Sequence, residues 1–276
     1  MDATPPRPGL AACALGAVRV AAVLGVLVVG AAAVLAASLL PRRPGGAAPA
    51  ERVAVAVARG LLAVVGVRLR VEGGAALRAH RGFVFFSHPS FLDPLLLLAI
   101  GPVRFLAASG VRRLPLVGPM ATALGTLYLD RGRGESRRRA RRDLRAAVGA
   151  SAVPVALAPE GGIGTGPGVG PLRRGAFEVA AEAGAPVLLV ALRVEPRAAV
   201  RWDAGEWLAA PLWRACARTA PLAATVRVLR PALDAGAHGG PGGAAAEARR
   251  RLDAALGVPA PPAVSVATRG GGAVAA

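Results

Sequence analysis

The stretch Phe83-Val84-Phe85-Phe86-Ser87-His88-Pro89-Ser90-Phe91-Leu92-Asp93-Pro94 joins one apolar run to the start of another, Leu95 to Ile100. The run Phe83 to Phe86 is short, aromatic and uninterrupted, which reads as a buried strand. Asp93 to Ile100 reads as a helix. Between them His88 precedes Asp93 by five residues, and on one helix such positions lie about 140° apart and could not meet. Pro89 resolves this, because proline suits the first helical position. His88 then sits at the cap, off the helix, and can fold back toward Asp93. A histidine held by a carboxylate is a general base, since the carboxylate fixes the tautomer and stabilises the imidazolium. No serine or cysteine nucleophile motif accompanies the pair, so the base would act on a substrate hydroxyl. The bland alternative is a capping histidine beside a solvated aspartate.

Downstream, short apolar runs alternate with helical stretches. Val67 to Val71, Arg104 to Ala108, Leu127 to Leu129, Val153 to Ala158, Pro186 to Leu192 and Thr225 to Leu229 read as strands. Ser136 to Ala147, Arg174 to Ala183 and Ala244 to Leu256 read as helices, the last capped by Gly257. Such alternation predicts an α/β fold, a mixed sheet covered by helices. Residues 46–235 form the expected main domain. Residues 236–276 are expected to be a glycine-rich linker, a short helix and a disordered tail.

Val20 to Leu40 is 21 residues without a charge. A bilayer core needs about 20 apolar residues of helix, so residues 1–45 are expected to be an anchor with an N-terminal transmembrane helix. Arg42 and Arg43 follow it, which favours a cytoplasmic side for what comes after. Arg19, at its edge, could snorkel. A cleaved signal peptide and a buried alanine-rich helix are the alternatives. A second apolar run, Arg52 to Val67, fits a surface helix or a strand.

The chain has 276 residues and a formal charge of +18. All 34 basic residues are arginine, a compositional bias that lowers the meaning of each one. The sum still attracts anions. Aromatic residues are only 4%, and no nucleic-acid-binding motif occurs, so anionic lipid is the better partner. The cysteines, Cys13 and Cys216, are isolated, with no metal or disulfide spacing, and read as buried thiols on a reducing side. The arginines between Arg137 and Arg145 read as a solvated face or a grip on lipid head groups. Trp202, Trp207 and Trp213 fit a bilayer interface or a core.

Further ordered motifs follow His88. They are Gly125-Thr-Leu-Tyr-Leu-Asp130-Arg131, Ala158-Pro159-Glu160-Gly161, Leu172-Arg173-Arg174-Gly175 and Gly184-Ala185-Pro186-Val187. With the His88/Asp93 spacing, this colinear set resembles the glycerolipid acyltransferase family over roughly residues 60 to 232. Tyr128 stands where the family has phenylalanine. Gly162 and Ile163 replace the threonine and arginine that follow Pro-Glu-Gly in the family, and Leu189 replaces a common second proline.

The resemblance implies a glycerol-3-phosphate acyltransferase-like fold, with His88 as base and Asp93 as its orienting partner. Gly125, Arg131, Glu160 and Gly161 would serve the acceptor, and Arg173 or Arg174 would swing in for the missing arginine. The amides at the start of the helix after His88 would receive the oxyanion. The reaction implied moves an acyl group to 1-acylglycerol-3-phosphate, from acyl-CoA or acyl carrier protein as donor substrate. No cofactor or metal is implied, and the expected location is the cell membrane. Acylation of another lysolipid, such as a lyso-ornithine lipid, and non-enzymatic lipid binding are the alternatives.

Overall fold

The four residues of β2 (Phe83–Phe86) are all buried, and their side chains point alternately into two separate cores. That is why the run shows no polar alternation: the strand is covered on both faces. The computed structural model describes residues 9–41, 45–130, 132–164, 166, 168–202 and 205–258. The strands among them are β1 (Val67–Glu72), β2, β3 (Arg104–Ala108), β4 (Leu127–Leu129), β5 (Val155–Leu157), β6 (Val187–Glu195) and β7 (Leu222–Leu233). They form one sheet in the order β1-β7-β6-β2-β5-β3-β4. All pairings are parallel except β6 with β7, so the sheet is mixed.

One face is covered by α1 (Leu10–Ser38), α2 (Pro49–Val65), α3 (Gly74–Ala79) and α4 (Asp93–Ile100). Val84, Phe86, Leu188 and Val190 meet Leu61, Leu62, Leu96 and Leu97 there. Past α5 (Val117–Ala123), the other face is covered by α6 (Gly134–Ala150), α7 (Arg174–Glu182) and α9 (Pro241–Leu256). Phe85 and Phe177 of α7 pack edge to face at 5.0 Å, an arrangement aromatic quadrupoles favour. α8 (Ala209–Cys216) lies between β6 and β7 in sequence.

α1 is long and apolar enough to cross a membrane. At 1.5 Å per residue it is about 43 Å long. It also packs on the domain. Gly16, Val20, Val23, Leu27, Gly30, Val34 and Ala37 alternate in steps of four and three, which is a straight seam on one side of a helix. Small residues let that seam come close. A Cβ on Gly30 would lie 2.8 Å from Val57 of α2, and one on Gly16 would lie 3.0 Å from Ala217. The opposite side exposes Val18, Leu24, Val28, Val29 and Leu35.

Arg19 does not snorkel. Its guanidinium donates to the carbonyls of Cys216 at 3.2 Å and Arg218 at 2.6 Å, closing the C-terminus of α8. Cys216 is buried there, and burial pushes its thiol up while nearby Arg19 pulls the other way.

The second apolar run is the helix α2. Glu51 accepts the amide of Ala48 at 2.7 Å, and Gly66 ends the helix in the left-handed region at φ 82°. The arginines of α6 face α7 in part, through Arg141 with Glu178 and Arg145 with Glu182. α6 covers the sheet face opposite to α1 and α2. Trp207 is exposed, Trp213 packs beside Gly16, and the Trp202 indole donates to the Glu206 carbonyl at 2.7 Å. The expected linker at residues 236–243 is shorter than anticipated, because α9 begins at Pro241. Arg42, Arg43 and the tail from residue 259 lie outside the described residues.

Candidate active site

β2 and β5 are parallel neighbours, so their C-terminal ends open on the same edge of the sheet. Ligands of open α/β sheets bind beyond such ends. His88 follows β2, and Glu160 follows β5. Ser87 fixes the exit of the chain from β2. Its hydroxyl accepts the Leu192 amide at 2.8 Å and donates to the Leu192 carbonyl at 3.4 Å.

Segment 87–92 is a turn, and the helix begins at Asp93 rather than at Pro89. Pro94, not Pro89, takes the proline-favouring start of α4. The turn brings the two residues together: His88 Nδ1 lies 2.7 Å from Asp93 Oδ2. The Asp93 side chain is 0% exposed. It also accepts the Ser90 amide at 3.0 Å and the Ser90 hydroxyl at 2.5 Å. Those donors, and its place in the first turn of α4, offset the cost of burying a carboxylate. With Nδ1–H donated to Asp93, the neutral ring carries its lone pair on Nε2. The Phe86 ring stands edge-on to the imidazole at 5.8 Å.

Several of the amides around the helix start, where an oxyanion is expected, are engaged within the turn. Leu92 donates to Ser90 Oγ, and Leu95 and Leu96 donate to the Leu92 carbonyl. With the Ser90 amide on Asp93, four of these groups are used inside the turn.

Glu160 holds backbone from two segments. One carboxylate oxygen accepts the His88 amide at 3.0 Å, and the other accepts the Gly170 amide at 2.9 Å. The Gly164 amide donates to the His88 carbonyl at 2.8 Å, and the Val169 amide donates to Asp253 of α9 at 2.8 Å. The glycine-rich segment is thus drawn over His88. A cleft of about 340 Å³ opens there, lined by His88, Glu160, Gly164, Arg193, Glu195 and Arg197 among others.

Other expected residues lie apart from this cleft. Gly125, at φ 75°, leads into edge strand β4 and makes room for Arg104, whose Nε lies 2.9 Å from where a Cβ would stand. Gly161, at φ 82°, turns the chain after Glu160, and Arg173 folds over it. Arg173 and Arg174 are exposed and do not line the cleft. Arg131 lies outside the described residues. Arg197 was not anticipated. It belongs to no motif, lying ten residues past Val187, and the turn after β6 brings it to the cleft that His88 lines.

Residues 68–193 match the family model described as Acyltransferase. The fold is that of the 1-acyl-sn-glycerophosphate (LPA) acyltransferase PlsC from Thermotoga maritima. That structure superposes with a TM-score of 0.58 at 17% identity, over 81% of this chain and 86% of that one. Residues 68–193 thus carry an acyltransferase domain, and that stretch holds the His88, Gly125, Glu160 and Pro186 motifs that resemble the glycerolipid acyltransferase family. The chain is 30% identical over 149 residues to the 1-acyl-sn-glycerol-3-phosphate acyltransferase of Neisseria gonorrhoeae, covering 52% of this chain and 56% of the relative. It is 34% identical over 122 residues to the lyso-ornithine lipid O-acyltransferase of Pseudomonas aeruginosa, covering 43% and 46%. The chain thus spans about half the length of the curated relatives it matches.

Proposed function

We propose that this protein is a membrane-bound acyltransferase that moves a fatty acyl group from a thioester to the free hydroxyl of 1-acylglycerol-3-phosphate, giving phosphatidic acid. The observation that carries the reading is the His88–Asp93 contact at 2.7 Å, with His88 facing a cleft at the strand ends.

The acceptor hydroxyl gives its proton to His88 Nε2 while its oxygen attacks the thioester carbonyl carbon. Asp93 stabilises the imidazolium that forms. The tetrahedral intermediate then collapses, the carbon–sulfur bond breaks, and Nε2–H returns the proton to the leaving thiolate. Arg131, from the second motif, remains one proposed contact to the acceptor's phosphate and can share it with other arginines. The apolar outer side of α1 supports attachment to the cell membrane, with Val18 67% and Val29 71% exposed. We assign the domain to the cytoplasmic side, where acyl-CoA or acyl carrier protein supplies the donor.

The Pseudomonas relative favours a second acceptor, a lyso-ornithine lipid. Detergent-purified protein, given a panel of lysolipids with labelled acyl-CoA and acyl carrier protein, tests both readings. Turnover with lysophosphatidic acid above all other acceptors is expected. Preference for lyso-ornithine lipid would replace the acceptor, and no transfer to any acceptor would overturn the enzyme reading.

A further inference from the structure

We infer that Arg197 reads the anionic headgroup of the acceptor, a phosphate monoester or a carboxylate, beside His88. The inference rests on the acyltransferase reading above and names the group that selects the substrate. Among the described residues lining the cleft, the arginines are Arg193 and Arg197. Arg193 is engaged at the rim. Its Nη2 donates to the Leu256 carbonyl at 2.9 Å, and its Nε lies 3.8 Å from Glu195.

Arg197 is placed differently. It sits in the turn Arg197–Ala199 after β6 and folds back over the glycine-rich segment. Its Nη2 donates to the Gly164 carbonyl at 2.5 Å, and its Nη1 donates to the Gly166 carbonyl. The Gly164 amide in turn bonds the His88 backbone carbonyl, so Arg197 and the residue that carries the base hold the same glycine and line the same cleft. Its Nε is buried without a partner. The fork therefore rests on two neutral carbonyls. An oxyanion of the right spacing is a stronger acceptor for a planar guanidinium, and bidentate contact adds geometric selectivity.

Two glycines beside the fork leave room for the exchange. A Cβ at Gly162 or Gly166 would meet nothing within 4 Å, so no side chain from these positions stands in the way. The acids of the cleft also favour one orientation. Glu160 is occupied by the His88 and Gly170 amides, and Glu195 lies by Arg193. The carboxylates repel a negative headgroup and Arg197 attracts it, while His88 lines the same cleft.

The test uses the full chain in detergent, with Arg197→Ala and Arg197→Lys. Acceptors are lysophosphatidic acid, lyso-ornithine lipid and an uncharged monoacylglycerol of the same acyl chain. Arg197→Ala should raise KM for the charged acceptor by roughly tenfold or more, the scale of a charge-assisted contact. KM for monoacylglycerol should stay unchanged, and Arg197→Lys should recover only part of the loss. A penalty on lysophosphatidic acid assigns the phosphate, and one on lyso-ornithine lipid assigns the carboxylate. An equal fall in kcat for charged and uncharged acceptors would make Arg197 a mere strut of the loop and overturn the inference. A second measurement needs no turnover: titration of glycerol 3-phosphate followed by the His88 ring resonances. Binding lost in both variants, in a protein that transfers no acyl group, would leave the headgroup site standing while the enzyme reading fails. Binding or KM indifferent to Arg197→Ala would overturn the site while the enzyme reading stands.

Discussion

The Glu160 carboxylate reaches from the end of β5 to the end of β2 and accepts the His88 amide at 3.0 Å. Its second oxygen holds Gly170 at 2.9 Å, so one side chain fixes both the base and the loop above it. Glu160→Gln keeps one acceptor and turns the other into a donor facing an N–H. Loss of such a bond with an unsatisfied partner costs about 1–3 kcal/mol. The variant should melt at lower temperature and lose kcat for every acceptor alike. A rise in KM for the acceptor with an unchanged melting temperature would instead make Glu160 a substrate contact.

His88→Ala should abolish turnover and leave the melting temperature near that of the parent. A positioned base contributes about 10²–10⁴-fold. Asp93→Asn should behave differently, because Asp93 accepts the Ser90 amide and hydroxyl as well as His88. An amide nitrogen turned toward the Ser90 amide and His88 Nδ1–H leaves a buried clash of N–H groups, and turned toward the Ser90 hydroxyl it reverses that bond and leaves His88 a neutral amide oxygen in place of a carboxylate. Both turnover and thermal stability should fall, as thermal melts beside the acyl-transfer assay would read.

The seam of α1 predicts a contrast between two glycines. Gly30→Val drives a branched side chain into Val57, which lies 2.8 Å from the would-be Cβ. The helix must shift off α2, and stability should fall by about 1–3 kcal/mol, the range for overpacking. Gly25→Ala meets nothing within 4 Å and should stabilise by about 0.5–1 kcal/mol. Denaturation in detergent distinguishes the two, and equal effects would contradict the docked seam.

His80 predicts a pH dependence away from the catalytic pair. Burial holds its imidazole below the ordinary histidine value, against the pull of its bond to the Phe83 carbonyl at 2.9 Å. A depressed pKa in the folded state means the unfolded chain takes up the proton first. The stabilising contribution is therefore complete above the ordinary histidine value and is lost as pH falls through the folded one. Melting temperature should drop on going from neutral to mildly acid pH, and His80→Gln should flatten that part of the profile.

Local pattern carried the sheet. Phe83 to Phe86 and Val187 to Leu192 are apolar without alternation because helices cover both faces. The pairing of His88 with Asp93 was legible from spacing, but the helix start was not. Pro89 lies inside the turn and Pro94 just past it, and Ser90, bonded to Asp93, keeps residues 87–92 out of the helix. α5 and α8 are seven and eight residues long and carry too little periodicity to announce themselves. The Arg52–Val67 run fits either period, and the left-handed Gly66 cap closes it as a helix. Arg197 had no local signal at all. Its nearness to His88 comes from β6 running past the end of β2, a relation of register between strands that no linear motif encodes.

Val169, in the loop over His88, is tied to Asp253, a residue 84 positions further along the chain. During synthesis strands β2 to β6 can pair while that tie is still missing, and β1 joins with β7. The cleft then has a floor but an unfastened roof. α9, the last of the described elements, closes it on docking. Completion of the cleft is thereby deferred until translation has passed α9, so a partly made chain has the His88 turn in place with the loop above it still unfastened.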